Sequence, residues 1–129
     1  MAKKHIPRIL LVDSEPKWRK AAKAVLEKQG KYNVESVANI EAALNFPFGN
    51  GFDLILINAA LVFGENISRF EQMLSLYPDK VLVISDVRSI STAIEVFKMG
   101  ADYAEKPFEP RRVIELVASR LQAAANAAQ

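Results

Sequence analysis

Short apolar runs alternate with longer amphipathic segments five times along this chain, and that alternation restricts its fold more than any other feature. RILLV (8–12), YNVESV (32–37), DLILI (53–57), KVLVIS (80–85) and DYAEK (102–106) read as strands. EPKWRKAAKAVLEKQG (15–30), NIEAALNF (39–46), SRFEQMLSLY (68–77), SISTAIEVFKMG (89–100) and EPRRVIELVASRLQAAA (109–125) read as helices. In the first helix Trp18, Ala21, Ala22, Val25 and Leu26 fall at helical spacing. In the third, Phe70, Met73, Leu74 and Tyr77 follow an i, i+3, i+4, i+7 pattern. Pro16 suits a first helical turn, Asn39 an N-cap, and Gly30 and Gly100 C-terminal caps, while Pro47 stops the second helix. Repeated strand–helix alternation predicts an α/β fold: a doubly wound parallel sheet with helices on both faces.

The length of 129 residues suits one domain. The chain has no cysteine, which removes disulfides and thiolate metal sites and fits a reducing compartment. The charged start MAKKHIPR is followed by an apolar run of only four residues, too short for a signal peptide or a membrane span, so a cytoplasmic protein is expected. The net charge of +2 is too small to argue nucleic-acid binding. It is uneven, however. Lys17, Arg19, Lys20, Lys23, Lys28 and Lys31 crowd one early segment against Glu15 and Glu27. That cluster reads either as a solvated helix face or as a docking face for an acidic partner.

In an open parallel sheet, sites form at the C-terminal ends of the strands. The first strand ends in Asp13-Ser14-Glu15, the third in Asn58, the fourth in Ser85-Asp86 and the fifth in Lys106-Pro107. An acid, an amide, a hydroxyl and an amine thus converge. The first strand is followed by DSEPKW, with no glycine before Gly30, which argues against a dinucleotide fold or a phosphate-binding glycine loop. His5, the one histidine, lies in the N-terminal tail without triad partners, and Ser85 has no histidine to activate it. No enzyme is expected. A small-ligand-binding α/β domain using the same crevice stays open as an alternative.

The tip residues carry a resemblance. ILLVDSEP, FDLILIN, VLVIS and AIEVFKMGADYAEKPF are similar, in order and spacing, to the motifs of response-regulator receiver domains of the CheY-like superfamily. The resemblance covers about residues 8–121. It implies a five-stranded sheet of order 2-1-3-4-5 flanked by five helices, and a receiver over residues 8–122 between a flexible tail (1–7) and an Ala-rich tail or linker (123–129). It further implies two-component signalling: a histidine kinase as partner, an acceptor aspartate on the third strand, Mg²⁺ held by acids after the first strand, a hydroxyl and a lysine on the phosphoryl group, a cis Lys–Pro bond and a switch aromatic.

Matched position by position, Asp13 is the first acid, Ser14 replaces the second, and Asn58 stands at the acceptor. Ser85, Lys106, Pro107 and Tyr103 match the hydroxyl, the lysine, the cis-proline candidate and the switch aromatic. The loop AALVFGEN lacks the family's Met-Pro and its later Gly, and the stretch from Gly100 to Lys106 is one residue short. An amide is a poor nucleophile, so aspartyl phosphorylation is not expected. With the acids reduced, a metal-free network is predicted in which Asn58 donates to Asp13 and accepts from Lys106. Asp13, Glu15 and Asp86 are the weak candidates for Mg²⁺, with Asp86 expected to point outward. These expectations describe a pseudo-receiver working by protein contacts, with a conventional receiver retaining weak Mg²⁺-dependent phosphorelay as the alternative. The face of the fourth helix, fifth strand and fifth helix is the implied contact surface for a signalling partner or a second copy, with Val96, Tyr103, Arg111, Val113 and Arg120 as candidates.

Overall fold

The strands form where the apolar runs lie: β1 at Arg8–Val12, β2 at Asn33–Val37, β3 at Leu54–Asn58, β4 at Val81–Ser85 and β5 at Asp102–Glu105. They pair in one parallel sheet ordered β2-β1-β3-β4-β5, as the resemblance implies. Five helices connect and follow them: α1 at Pro16–Lys28, α2 at Ile40–Leu44, α3 at Ile67–Leu76, α4 at Ile90–Lys98 and α5 at Val113–Ala127. The structure is a computed structural model that describes residues 5–46 and 51–127. The stop at Pro47 and most of the N-terminal tail lie outside the described residues. Within that tail His5 bonds Asp53 at 2.8 Å, and residues 123–127 continue α5.

Side chains alternate along a strand, so each strand supplies two cores. Leu10, Val12, Ile55, Ile57, Val81 and Val83 meet Ile40 and Ala43 of α2, Phe70 and Met73 of α3, and Val96 of α4. On the opposite face Ile9, Leu11, Leu54, Leu56, Leu82 and Ile84 meet Trp18, Ala22 and Leu26 of α1 and Val113 and Val117 of α5. Every residue of β3 and β4 is buried, which explains why each is apolar up to its last residue. Val96 and Val113 are fully buried, so neither can serve the contact surface assigned to them from sequence. Each sits on the inward stripe of its helix, where the sheet takes it.

Helix ends follow local chemistry, with one exception. Pro16 opens α1, the Asn39 side chain accepts the Ala42 N–H at 2.8 Å, and Gly100 takes φ +95 after α4. After α1 the left-handed residue is Lys31, at φ +60, and Gly30 is not in that region. Gly30 is needed for space instead. A Cβ there would lie 2.6 Å from the Tyr32 ring and 2.7 Å from the Leu26 carbonyl oxygen. Gly30→Ala is therefore expected to cost about 1–3 kcal/mol, through overpacking against fixed backbone. Urea unfolding would show it as a lower midpoint at unchanged slope.

Candidate functional site

Parallel pairing brings the strand tips to one end of the sheet. Val12 of β1 lies level with Ile57 of β3, Asn58 with Ile84, and Ser85 with Glu105. Asp13, Asn58 and Ser85 are the polar residues buried among the described ones, and all three sit at this end.

Lys106 organises the cluster. Its side chain is 3 % exposed, and its ammonium lies 3.0 Å from Asp13 Oδ2, 2.8 Å from Glu15 Oε2 and 3.4 Å from Asp86 Oδ1. It also stands 4.5 Å from the centre of the Trp18 ring, a cation–π contact. Burial pulls the Lys106 pKa down. The hydrogen bonds to Glu15 and Asp13, with the charges of Asp13 and Asp86, outweigh burial and hold it above the ordinary lysine value.

Asn58 ties the acids together. Its Nδ2 donates to Asp13 Oδ2 at 3.2 Å and to Asp86 Oδ2 at 3.0 Å. The predicted bond to Asp13 is present, but the Asn58 oxygen does not accept from Lys106. It accepts the Ala60 N–H at 2.9 Å. The physical reason is local: a 3₁₀ turn at Ala59–Leu61 begins directly after Asn58, and its first N–H groups need a capping acceptor. Asp86 also departs from expectation. Although 60 % exposed, its carboxylate turns onto the site, because Lys106 and the Asn58 amide both offer it donors. Among the described residues no buried side-chain polar atom lacks a hydrogen-bond partner.

The remaining tip residues do different work. Ser14 is exposed and takes no part in the network. The Ser85 hydroxyl is committed to its own loop, donating to the Val87 carbonyl at 2.7 Å and accepting the Val87 N–H at 3.3 Å. The Tyr103 hydroxyl donates to the same carbonyl at 3.3 Å and accepts the Ser89 N–H at 3.2 Å. Arg111 and Arg120 are engaged within the chain, with Glu109 and Asp102. No cis peptide occurs among the described residues, so the Lys106–Pro107 bond is trans, against the expectation. The trans form is the intrinsically favoured isomer by about 0.5–1 kcal/mol. It satisfies both neighbours here: Lys106 reaches the acids, and the Trp18 indole N–H donates to the Pro107 carbonyl at 2.9 Å.

Sequence reading placed Trp18 on the apolar face of the first helix but missed its bond to Pro107. It also missed Arg19, whose guanidinium donates to the Asp13 carbonyl. The available signal was position: both fall in the first turn of α1, directly over the end of β1.

The fold has relatives among known proteins. A family model described as the response regulator receiver domain matches residues 9–118. The transcriptional regulatory protein ResD of Bacillus subtilis is 25 % identical over 120 residues, covering 92 % of this chain and 50 % of ResD. A putative response regulator NtrX-like protein of Rickettsia bellii is 31 % identical over 113 residues, covering 84 % of this chain and 23 % of that protein. Among solved structures, a CheY-like receiver domain protein of Methanospirillum hungatei superposes with TM-score 0.79 at 26 % identity, covering 95 % of this chain and 99 % of that one. The non-phosphorylated HemR receiver domain of Leptospira biflexa gives 0.74 at 27 % identity, covering 89 % and 94 %. The chain spans half or less of the length of these two curated relatives.

Proposed function

The chain belongs to the response regulator receiver domain family, and from there we propose that it signals through protein contacts and not through phosphoryl transfer to the tip of β3. The observation that carries this reading is the state of Asn58. Its position is the one the family uses for the acceptor carboxylate. Here it holds a neutral amide whose nitrogen donates to two acids and whose oxygen caps the following turn. No anionic oxygen is offered to a phosphodonor at that position.

The donor set also argues against a resident divalent ion. Mg²⁺ asks for oxygen ligands in near-octahedral geometry. The Lys106 ammonium already reaches all three nearby carboxylates, and the Asn58 N–H₂ is aimed at two of them. The buried pair of Asp13 and Lys106 is neutral as a unit, while Glu15 and Asp86 are mostly exposed and screened. The chain thus supplies its own cation. The β4–α4 loop is likewise held without a phosphoryl group, since Ser85 and Tyr103 both secure the Val87 carbonyl. This favours one standing conformation of the output face.

That face carries an apolar stripe. Ile90, Ile94 and Phe97 recur along α4, with Val87 just before it, and all four are large exposed hydrophobics. We assign the contact with a signalling partner or a second copy to this stripe and the adjoining β5 and α5. No helix among the described residues is long and apolar enough to cross a membrane.

The inward turn of Asp86 favours one second reading, weak Mg²⁺ binding by Asp13, Glu15 and Asp86. One experiment separates the two. The chain is treated with Mg²⁺ and a small acyl phosphodonor, followed by intact-mass spectrometry and Trp18 emission. Neither a phosphoryl adduct nor a saturable emission change is expected. An adduct on any carboxylate would overturn the proposal, and a saturable Mg²⁺ response without one would establish the second reading.

A further inference from the structure

We propose that the end of the sheet opposite the strand tips holds a binding site for a small diamino carboxylic acid, of the class of lysine and ornithine. A cavity of about 450 Å³ lies there, lined by Arg8, Glu27, Asn33, Val34, Glu35 and Phe52. That volume falls within the range of small-molecule sites, about 300–1,000 Å³. Arg8 and Asn33 open β1 and β2 and pair directly, and Phe52 shortly precedes β3. Asn58 and the Lys106 cluster lie at the other end of the same sheet, so the proposal does not rest on the acceptor chemistry. The backbone beside the cavity is fixed. Asp53 Oδ2 accepts the Arg8 N–H at 2.8 Å, and the Asp53 N–H donates to the Arg8 carbonyl at 2.8 Å. The Asn33 N–H donates to the Pro7 carbonyl at 3.0 Å. The Arg8 guanidinium stands 5.8 Å from the centre of the Phe52 ring, a cation–π contact that steadies its planar fork.

The lining selects the ligand by charge. One guanidinium and two carboxylates share the cavity. The Glu27 and Glu35 side chains make no hydrogen bond or ion pair among the described residues. A ligand with one carboxylate for Arg8 and two ammonium groups for Glu27 and Glu35 matches this set, and the Asn33 amide can donate or accept. Val34 and Phe52 are buried and give its aliphatic stem an apolar wall. Strand register sets the spacing. Arg8, Asn33 and Glu35 share one face of the sheet, with Asn33 level with Arg8 and Glu35 two residues further on. The backbones of Arg8 and Glu35 are therefore about 8 Å apart, and the stem of lysine or ornithine spans a gap of that order. Other small ions fit less well. A phosphate or a dicarboxylate meets two glutamates for one arginine, and a polyamine brings an ammonium group against Arg8.

The test titrates L-lysine into the full nitrogen-labelled chain at low salt and follows amide correlation spectra. Cadaverine, which lacks the carboxylate, Nα-acetyl-lysine, which imitates the C-terminal lysine of a peptide, and glutamate are the comparators. Lysine is expected to shift the amides of Arg8, Asn33, Val34 and Glu35 saturably. It should bind about fivefold more tightly than cadaverine or Nα-acetyl-lysine, the effect of one exposed charge contact, and glutamate should not bind. Arg8→Gln should weaken lysine about fivefold, and Glu27→Gln and Glu35→Gln about threefold each. Arg8→Lys keeps the charge and should lose less than Arg8→Gln, while Glu71→Gln should change nothing. Circular dichroism and urea unfolding establish that the variants are folded. Shifts that do not saturate, or that centre on Asp13, Glu15 and Asp86 at the strand tips, would overturn the proposal. So would equal binding of cadaverine, equal binding of Nα-acetyl-lysine, which would assign the site to a chain terminus, or indifference to Arg8→Gln. None of these outcomes bears on phosphorylation at the tip of β3.

Discussion

Lys106→Met is expected to lose about 3–5 kcal/mol of folding stability at neutral pH, the range for removing one partner of a buried ion pair. Methionine fills the space beside Trp18 but leaves Asp13, which is 1 % exposed, without its countercharge. The Asn58 and Glu15 N–H bonds to Asp13 remain, and they do not neutralise it. Removing both charges tests the cause. Lys106→Met/Asp13→Leu should recover more than half of the loss, because the cost lies in the orphaned charge and not in the missing contact. The alkaline limb provides a second check. The folded Lys106 pKa is raised above its ordinary 10.5, so its contribution is complete below that value and is lost as pH rises through the folded pKa. Unfolding free energies of the wild type should therefore fall above about pH 10.5, and this part of the fall should be missing in Lys106→Met. A variant as stable as the wild type at neutral pH would mean that the Lys106 cluster contributes nothing.

The sequence disclosed the sheet because its signals repeat. Five apolar runs at regular intervals, each bounded by helical periodicity, leave few alternatives, and even the strand order followed from the motif resemblance. The gathering of these residues was legible for the same reason: Asn58 and Ser85 end strands, Asp13 and Lys106 directly follow them, and parallel pairing must gather strand ends. Hydrogen-bond direction was not legible. Whether the Asn58 oxygen faces Lys106 or Ala60 depends on a 3₁₀ turn with no strong sequence signal. The direction of Asp86 depends on donors contributed by β3 and by the residue after β5, far away in the chain. Gly30 shows the same limit in a helix cap. A glycine at a helix end suggests a left-handed residue, but here the strained φ belongs to Lys31 and the glycine answers to the Tyr32 ring.

Asn58→Asp reverses the logic of the site and is expected to destabilise the domain by about 3 kcal/mol at neutral pH in EDTA. The amide now donates to Asp13 at 3.2 Å and to Asp86 at 3.0 Å. A carboxylate in its place turns both attractions into like-charge contacts. Each is worth about 5 kcal/mol at an effective dielectric of 20 before screening and before the opposing pull of Lys106. The Asp86 contact is largely screened, since that side chain is 60 % exposed, so the buried contact with Asp13 dominates. Like charge raises the folded pKa of the new carboxyl above its unfolded value near 3.9. The folded state then binds the extra proton, so the penalty grows as pH rises from about 4 and shrinks as pH falls. Urea unfolding from pH 4 to pH 7 should show a falling stability for Asn58→Asp that the wild type lacks. A divalent cation should do what acid does. In Ser14→Asp/Asn58→Asp, which supplies the set of acids that the resemblance implies, Mg²⁺ at a hundred times its dissociation constant would return about 2.7 kcal/mol. The wild type should gain nothing from Mg²⁺ under the same conditions. If Asn58→Asp proves as stable as the wild type in EDTA and shows no pH slope, the amide is not what keeps these acids together, and the self-contained network fails.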